Sequence, residues 1–444
     1  MRAGIVLFTR DLRVHDNPAL HAACEECERV LPLFVLDDAI LEAFGAPNRV
    51  AFLLDSLRDL DESLRTLGGA LVVRRGDVVA EVSSLGCDVV YLAEDVSSYA
   101  RRRERRLRDA GFDVRMFAGV TVIPPGELTP SGGGDHFAVF TPYWNRWRVQ
   151  PRRALLDPPE AIRLAEDVDP DRLPKLEEVT TASMSPRLPG GGESAGRARL
   201  DAWLASGLGT YGSGRDELAD DSTSRLSAYL RFGCLSPLEV AGRAGGRGGG
   251  EAFVRQLCWR DFHYQLFAGR PEIATEDLRP RGDRWRDGGE ALEAWKDGRT
   301  GYPLVDAGMR QLHAEGFMHN RARLVTASFL TKHLYVDWRL GAAHYADFLV
   351  DGDLPNNVGN WQWVAGTGAD TRPNRMFNPT RQAQRYDPAG DFVRRWVPEL
   401  GEVEGGAAHE PWNLGLLAPS GYPSPIVDHD EAVARFRTAR ASVG

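Results

Sequence analysis

Four side chains of one segment share a helical face that could hold a flat polar ligand. They are Gln256, Trp259, Arg260 and His263, at positions i, i+3, i+4 and i+7 within residues 253–267. In a helix this spacing places an aromatic plate between an amide, a guanidinium and an imidazole, whereas a core face would be aliphatic. The pattern fits a planar, aromatic-like ligand, and it fits a helix end with an ordinary buried Trp about equally well.

A second polar group lies in residues 351–363. This segment contains Asp351, Asp353, several carboxamides and the indoles of Trp361 and Trp363. Its Gly and Pro residues predict a loop. Two carboxylates are too few for a hard cation, so N–H groups of an organic ligand or an Arg are the expected partners, and no metal site is predicted.

Residues 220–227 place Ser and Thr ahead of an apolar helical run that ends near Gly233. This arrangement predicts either a plain N-cap or a binding position for a phosphate at the positive end of the helix dipole.

A long helix is predicted over Met318–Tyr335. Its first turns contain His319, Asn320, Arg321 and Arg323. Four polar side chains therefore crowd what should be an entry to the core.

The elements that must position these groups begin with an alternation of short β-rich runs and helical stretches, which extends to about residue 119. This order predicts an α/β domain with a parallel sheet. No Gly-x-Gly-x-x-Gly follows the first strand, so the ordinary dinucleotide fingerprint is missing. The predicted strands are Gly4–Phe8, Val30–Leu36, Ala70–Val73, Val89–Leu92 and Val114–Phe117, and a helix is predicted from Asn48 to Leu67.

Strand signals disappear farther along the chain. Pro, Gly and charged residues predict a connector over residues 131–195, apart from the aromatic stretch Phe140–Trp147, which should be packed. From residue 196 to residue 444 helical periodicity predicts an all-α domain. The sequence therefore predicts three regions, 1–130, 131–195 and 196–444.

Composition limits the classes of function. The chain has 444 residues, 43% of them hydrophobic, and 5 Cys, which excludes disordered and disulfide-framework proteins. No apolar stretch is long enough to cross a membrane, and charged residues interrupt the N-terminal stretch, so we expect a cytoplasmic protein without a membrane partner. A net charge of −9 argues against a general nucleic-acid coat, although residues 251–400 balance 20 Lys and Arg against 20 Asp and Glu and could form a local basic groove.

The order of these motifs resembles the photolyase/cryptochrome family, and the match is closest to its bacterial class I members that act on cyclobutane pyrimidine dimers. The similarity covers essentially the whole chain. The motifs that carry it are Phe8–Asn17, Thr223–Ser227, Trp259–Phe262, Gly301–Leu312, Met318–Arg321, Asp351–Asp353 and Trp361–Trp363.

This resemblance implies that the helical domain holds FAD in a folded conformation. Arg323 would pair with Asp351, and Asn357 would face flavin N5, where a neutral amide favours the reduced flavin. The FAD positions implied by the motifs are Tyr211, Thr223, Ser224, Arg225, Leu226, Ser227, Trp259, Arg260, Asn320, Arg323, Asp351, Asp353 and Asn357.

The same resemblance implies light-driven repair of a cyclobutane pyrimidine dimer that has been flipped out of damaged DNA. Photoexcited reduced FAD would donate an electron to the dimer and recover it after the ring opens. Trp361, Trp338 and Trp285 align with the family's chain of Trp residues that carries electrons from the surface to FAD. The implied lesion contacts are Gln256, Trp259, Arg260, His263, Asn320, Arg321 and Trp363.

An antenna chromophore is also implied. The segment Ala46–Ala51 resembles the deazaflavin-binding type, which favours 8-hydroxy-5-deazaflavin over methenyltetrahydrofolate. Only 3 of the 54 Lys and Arg residues are Lys, a bias associated with GC-rich genomes whose bearers often make deazaflavins. The residues in the antenna regions are Asp37, Arg49, Phe52, Asp95 and Arg103.

Departures from the family pattern leave alternatives open. Gln256 stands where bacterial cyclobutane-dimer enzymes usually have Glu, and Gln is what (6-4) photolyases and animal cryptochromes tend to have. Asn320 stands where the (6-4) enzymes carry a second His, which favours the cyclobutane substrate. The alternatives are therefore a cryptochrome-like blue-light receptor and (6-4) photoproduct repair, and a monomer is expected.

Overall fold

The computed structural model describes residues 3–164 and 172–441. Residues 1–2, 165–171 and 442–444, which belong to the three predicted regions in turn, lie outside the described residues.

Five strands and twenty α-helices occur within the described residues. The strands are β1 (Ala3–Leu7), β2 (Arg29–Leu36), β3 (Val72–Arg75), β4 (Val89–Ala93) and β5 (Asp113–Phe117). The helices are α1 (Pro18–Glu26), α2 (Asp38–Phe44), α3 (Pro47–Thr66), α4 (Val78–Ser83), α5 (Ser98–Asp109), α6 (Phe140–Trp147), α7 (Leu176–Val179), α8 (Glu193–Ser206), α9 (Tyr211–Gly214), α10 (Ser227–Phe232), α11 (Pro237–Ala244), α12 (Gly250–Gly269), α13 (Gly289–Lys296), α14 (Pro303–Glu315), α15 (Asn320–Ser328), α16 (Trp338–Phe348), α17 (Leu354–Ala365), α18 (Pro379–Tyr386), α19 (Asp391–Trp396) and α20 (His429–Ala441).

The chain forms two compact units. The first contains Met1–Met184, Pro189–Gly209 and Ser224–Pro271, and the second contains Ser185–Leu188, Thr210–Thr223 and Glu272–Gly444. The division follows packing rather than the point at which helices replace strands, because α8, α10, α11 and α12 belong to the first unit.

The first unit is built on a parallel sheet with the strand order β3-β2-β1-β4-β5. Gly4 of β1 pairs with Val30 of β2 and with Val89 of β4, so β1 is the central strand. Parallel strands need crossover helices, and α1 to α5 supply them. The structure therefore confirms the predicted α/β fold, and each predicted strand is present with its ends shifted by no more than two residues.

A glycine lets the chain after β1 approach the helical part of the same unit. Gly233, after α10, has φ of 69°, and a Cβ placed on it would lie 1.9 Å from the Arg10 carbonyl oxygen. In the same region the buried Arg13 donates hydrogen bonds to the carbonyls of Asp16, Gly119 and Gly233. The guanidinium thereby ties three loops of the unit together.

The second unit is helical and packs around a large aromatic core. Trp295, Phe329, Trp338, Tyr345 and Trp361 are all buried in it. Within the described residues, no helix is long and apolar enough to pass through a lipid bilayer.

The prediction of a loop over residues 351–363 is wrong, because α17 occupies most of it. Pro355 lies in the first turn, where a helix needs no N–H from this position, so it does not interrupt the helix. The residue before the helix is Asp353, whose backbone carbonyl accepts the first helical bond from Asn357.

The predicted helix over Met318–Tyr335 is also shorter than expected. It begins at Asn320 because the His319 side chain caps it, with Nδ1 accepting a hydrogen bond from the Arg321 N–H at 3.1 Å. A π-helical turn, Phe329–Leu334, follows, and Tyr335 ends it with φ of 57°.

The predicted Ser/Thr cap near residue 223 is absent. The helix begins only at Ser227 with Leu226 at the cap position, and Arg225 has φ of 52°. This turn separates Ser222, Thr223 and Ser224 from the helix start.

Asp261 on α12 joins three parts of the first unit. Its buried carboxylate accepts hydrogen bonds from the backbone N–H groups of Val122 and Ile123 and from the indole N–H of Trp147. Burial is the largest influence on this group and raises its pKa to about 6 despite these bonds.

We predict that D261A lowers the free energy of unfolding by about 3 kcal/mol, because three buried donors lose their acceptor. D261N should keep most of the packing and remove the titration. Since the pKa is higher in the folded state than in the unfolded chain, stability relative to D261N should increase as the pH falls from about 6 to about 4. Urea unfolding across this pH range measures the difference, and a difference independent of pH would contradict the assignment.

Candidate functional site

Two of the predicted cofactor residues in the second unit form an ion pair between α15 and the segment before α17. Arg323 Nη2 donates to Asp351 Oδ2 at 2.9 Å and to Oδ1 at 3.2 Å. Arg323 Nε donates to the Met318 carbonyl at 2.7 Å, which fixes the plane of the guanidinium. The Asp351 side chain is 7% exposed and the Arg323 side chain 24%, so water screens the pair poorly. The predicted pairing of these two residues is therefore present.

The first turn of α17 holds two further predicted residues. The Asp353 carboxylate is 6% exposed and accepts a hydrogen bond from the Asn356 side chain. Asn357 Nδ2 donates to the Ala342 carbonyl of α16 at 2.9 Å, which orients the carboxamide. One helix start therefore carries a carboxylate and a neutral amide one turn apart.

The start of α15 carries a buried donor that has no hydrogen-bond partner among the described residues. Since His319 Nδ1 accepts from the Arg321 N–H, the proton of the neutral ring is on Nε2. Burial lowers the pKa of His319 to about 4, so the ring is neutral at pH 7. Nε2 makes no hydrogen bond to the residues that the structure describes, although His319 is 2% exposed. A buried donor of this kind fits a bound group that has acceptor oxygen or nitrogen atoms.

The neighbouring predicted contacts differ in their surroundings. Asn320 is exposed. Arg321 Nη2 donates to Asp216 at 2.9 Å, and its guanidinium lies over the Tyr386 ring at 4.2 Å. Arg321 is therefore oriented by two partners of its own unit.

The predicted phosphate-binding segment is divided between the units. Tyr211 and Thr223 belong to the second unit, whereas Ser224 to Ser227 belong to the first. Tyr211 is buried, and burial raises its pKa to about 12, so the phenol keeps its proton. Within the first unit, the Ser224 carbonyl accepts a hydrogen bond from Arg199 Nε at 2.9 Å.

The aromatic plate on α12 is stacked on a ring from α6. Trp259 and Phe140 are nearly parallel, with an interplanar angle of 3° and ring centroids 3.7 Å apart. The Arg255 guanidinium lies 5.2 Å from the ring centroid of Phe140, the residue on which Trp259 is stacked. One face of the Trp259 indole is therefore covered within the unit, and the residue is only partly buried.

The other residues of this helical face serve different contacts. Gln256 is partly buried. Arg260 donates to the carbonyls of Val120 and Leu230, which engages its guanidinium in the fold. His263 is 4% exposed and lies beside Trp259 and Phe262.

Two of the three Trp residues of the predicted electron chain are buried, and the last in their order is partly exposed. Trp361 is 2% exposed and Trp338 1%, whereas Trp285 is only partly buried and packs against the same core. Gly341 lets α16 pack on the first indole, because a Cβ there would lie 2.2 Å from the Trp361 ring. Tyr345 contacts the same indole edge to face, with ring centroids 4.8 Å apart.

Trp363, the other indole of α17, has a basic neighbour. The Arg375 guanidinium lies 4.8 Å from its ring centroid and 5.2 Å from that of Phe377. Arg375 belongs to the loop between α17 and α18 and is exposed.

The structure brings together part of the predicted antenna set in the first unit. The Asp37 carboxylate accepts a hydrogen bond from the Tyr99 hydroxyl, and Arg103 lies 5.9 Å from the Tyr99 ring centroid. Arg103 Nε has no hydrogen-bond partner among the described residues, although the residue is 8% exposed.

The other three predicted antenna residues have separate surroundings. Arg49 donates to the Phe44 carbonyl at 2.8 Å, and Asp95 pairs with Arg10 at 3.5 Å. Phe52 is 1% exposed and packs between Tyr229 and Phe232.

Sequence reasoning missed several residues at these sites. Phe140, Tyr99 and Arg375 contact predicted residues and were not assigned to them. The aromatic segment Phe140–Trp147 was a signal for packing, but the sequence does not say which indole it covers. Arg375 is distant from Trp363 along the loop, and no periodic pattern connects them.

Comparison with known proteins gives matches over most of the chain. Residues 4–162 match the family described as DNA photolyase, and residues 253–442 match the FAD binding domain of DNA photolyase. The deoxyribodipyrimidine photo-lyase of Streptomyces griseus is 54% identical over 454 residues, which cover 99% of this chain and 99% of that protein.

Two solved structures are also similar. A bacterial class III photolyase from Agrobacterium tumefaciens has a TM-score of 0.91 and 35% identity, over 100% of this chain and 98% of that one. An archaeal photolyase from Sulfolobus tokodaii, described with two FAD molecules, has a TM-score of 0.88 and 32% identity, over 99% of this chain and 100% of that one.

We predict that R323M lowers the free energy of unfolding by about 2 kcal/mol, because it leaves the Asp351 carboxylate buried without its cation. Adding D351N to R323M should recover about half of this loss, since the neutral amide has a smaller desolvation cost. R299M is the control, because Arg299 and Asp297 form an exposed pair whose loss should cost less than about 0.5 kcal/mol. Equal losses for R323M and R299M in urea unfolding would contradict this account of the pair.

Proposed function

This chain belongs to the DNA photolyase family, and we propose that it repairs cyclobutane pyrimidine dimers in DNA by light-driven electron transfer from reduced FAD. The observation that carries the proposal is the group of poorly screened polar side chains formed by Arg323, Asp351, Asp353 and Asn357, inside the region that matches the FAD binding domain.

The side chains present fit the cofactor. His319 Nε2 is a buried donor that needs an acceptor, and FAD offers carbonyl, ring nitrogen, hydroxyl and phosphate acceptors. Asp353 offers a buried carboxylate to the N–H or O–H donors of the same molecule. When bound and reduced, FAD supplies the electron that the absorbed light transfers to the dimer.

We assign Asn357 to the flavin N5 position. Its amide is held by the Ala342 carbonyl, so the side chain cannot rotate freely. A neutral amide at that position adds no negative charge, whereas an Asp would oppose an electron-rich ring. Arg323 and Asp351 set the position of the helix start that carries Asn357.

The remaining FAD assignments extend this set. We propose that Tyr211, Thr223 to Ser227, Trp259, Arg260 and Asn320 also contribute to cofactor binding. The Arg260 guanidinium already donates to the carbonyls of Val120 and Leu230, so its contribution would be to hold the surrounding backbone.

We assign the aromatic faces of Trp259 and Trp363 to the flipped dimer. Trp259 is stacked on Phe140, and the Arg375 guanidinium lies over the Trp363 ring, so each contact restricts the orientation of its indole. Stacking of a base on such a plane is worth about 1–3 kcal/mol. Gln256, Asn320 and Arg321 would add polar contacts, while His263 is too buried for more than an indirect one.

We propose that Trp361, Trp338 and Trp285 carry electrons toward the cofactor region. The change from two buried indoles to a partly exposed one supports a route that ends at the surface.

We also propose an antenna chromophore in the first unit, with 8-hydroxy-5-deazaflavin as the first candidate and methenyltetrahydrofolate as the second. Arg103, with a buried Nε that has no partner among the described residues, and the Asp37–Tyr99 pair support a polar ligand there. Arg49, Phe52 and Asp95 would then shape the surrounding wall.

The first test illuminates the reduced protein with dimer-containing DNA. Blue light should remove the dimers, and no loss should occur in the dark. W363A should weaken binding of this DNA by about 1–3 kcal/mol while the FAD content stays unchanged. Intact cyclobutane dimers under light would reject the proposal, and loss of (6-4) photoproducts instead would identify the other substrate.

The second test follows photoreduction of bound oxidised flavin by its absorbance. W361F and W338F should each remove most of the photoreduction, because each interrupts the electron route. W295F is the matched control. Trp295 is buried, its ring centroid lies 6.1 Å from that of Trp361, and it is not part of the proposed route. An equal effect of all three substitutions would indicate general damage to the core rather than a route.

A further inference from the structure

The loop between α17 and α18 comprises residues 366–378, and two arginines donate hydrogen bonds to its first two carbonyls. The Arg279 N–H donates to the Thr367 carbonyl at 2.7 Å, and Arg281 Nε donates to the Gly366 carbonyl at 3.2 Å. Gly366 has φ of 84°, and a Cβ placed on it would lie 2.3 Å from the Pro373 carbonyl oxygen. The loop therefore folds back so that its second half packs on its start.

A buried lysine holds the second half of the same loop. Lys332 Nζ donates to the Pro373 carbonyl at 3.0 Å and to the Arg375 carbonyl. Lys332 is 2% exposed, and its ammonium also lies 5.5 Å from the Phe436 ring centroid. It reaches the loop from the π-helical turn Phe329–Leu334, a geometry that often occurs at functional sites.

The position suits an ammonium group. Lys332 is one of only 3 Lys in a chain that has 51 Arg. A compact ammonium can donate to two converging carbonyls in a space where the planar guanidinium of Arg would need more room. Burial, with further contributions from Arg440 and Arg375, lowers the pKa of Lys332 to about 7, while Asp370 and Asp283 act in the opposite direction. Keeping a cation in this environment costs stability, so the two carbonyl bonds must compensate for it.

The held loop carries the residue that contacts Trp363. Arg375, whose carbonyl accepts from Lys332, places its guanidinium 4.8 Å from the Trp363 ring centroid. We propose that Lys332 is a positioning residue that clamps this loop and thereby keeps Arg375 on the Trp363 indole. We further infer that the clamp keeps Trp363 in the orientation required for a flipped pyrimidine. This last step rests on the proposed function, whereas the clamp itself does not.

The clamp itself is tested without DNA or light. Trypsin can cleave after the exposed Arg375, whereas Pro373 protects the bond after Arg372. In K332M holoprotein, cleavage between Arg375 and Met376 should be about tenfold faster than in the wild type, because the Nζ donor to both carbonyls is lost. K296M is the matched control, since Lys296 lies on α13 with 31% of its side chain exposed, and its cleavage should equal that of the wild type. An unchanged cleavage rate in K332M would overturn the proposal.

The consequence for DNA is tested by a double-mutant cycle on dimer-containing DNA. K332M and R375Q should each weaken binding about tenfold, and the combined variant should bind no more weakly than either, because the two residues act through the same contact. FAD content should stay unchanged, because neither residue belongs to the proposed FAD set. Additive effects would show that Lys332 does not act through Arg375 and would overturn the positioning role.

Two further results separate the possible failures. If the wild type binds no dimer-containing DNA, the proposed function fails, while the trypsin experiment still decides whether the clamp exists. If K332M does not fold, K332Q replaces it, because its amide can donate to one of the two carbonyls. K332Q should be cleaved faster than the wild type but by less than about tenfold, since it keeps one of the two bonds, and a rate equal to that of the wild type would contradict the clamp.

Discussion

A guanidinium and a carboxylate that are both largely withdrawn from water, those of Arg323 and Asp351, join α15 to the residues that precede α17. The pair fixes where α17 begins, and the first turn of that helix carries Asp353 and Asn357. The same helix continues to Trp361 and Trp363, so a shift at its start would move both indoles. Because Arg323 also donates to the Met318 carbonyl, the pair fixes the entry to α15 and its capping residue, His319, as well.

Trp338 and Trp361 have the same side chain, but the helical core gives their indoles different electrostatic surroundings. The Trp338 N–H donates to Asp277 at 2.9 Å, and the Arg339 guanidinium lies 4.6 Å from its ring centroid. A cation over the ring makes loss of an electron harder, and the carboxylate on its N–H offsets that effect. The Trp361 N–H has no acceptor among the described residues, and its neighbours are aromatic rings.

Sequence reasoning predicted the fold from local patterns, because alternating β-rich runs and helices indicate a parallel sheet. The pairing of Arg323 with Asp351 was implied only by the resemblance to a known family, since no local pattern joins two residues so far apart in sequence. Sequence reasoning failed at α17, where Pro355 was taken as a helix breaker although a first-turn Pro is compatible with a helix. It also failed at the start of α10, because a residue with positive φ, Arg225, leaves no signal in periodicity.

The contacts that could not be predicted join residues far apart in sequence. Phe140 covers Trp259, and Lys332 holds the loop that carries Arg375. Each depends on how helices pack, which neither composition nor spacing encodes. A Lys in the last turn of a predicted helix is compatible with a solvent-facing position, and only the packed structure shows that Lys332 is 2% exposed.

Three buried ionisable side chains of this protein form most of their hydrogen bonds with backbone groups. Arg13 and Lys332 donate mainly to backbone carbonyls, and the Asp261 carboxylate accepts from two backbone N–H groups. An ion pair between side chains would hold two side chains, but a charge bonded to peptide groups holds the path of a loop. Because each lost bond leaves a peptide dipole unpaired in a nonpolar environment, the loop has few alternative conformations of similar energy. Single charged groups buried among backbone groups therefore restrict the paths that these loop segments can take.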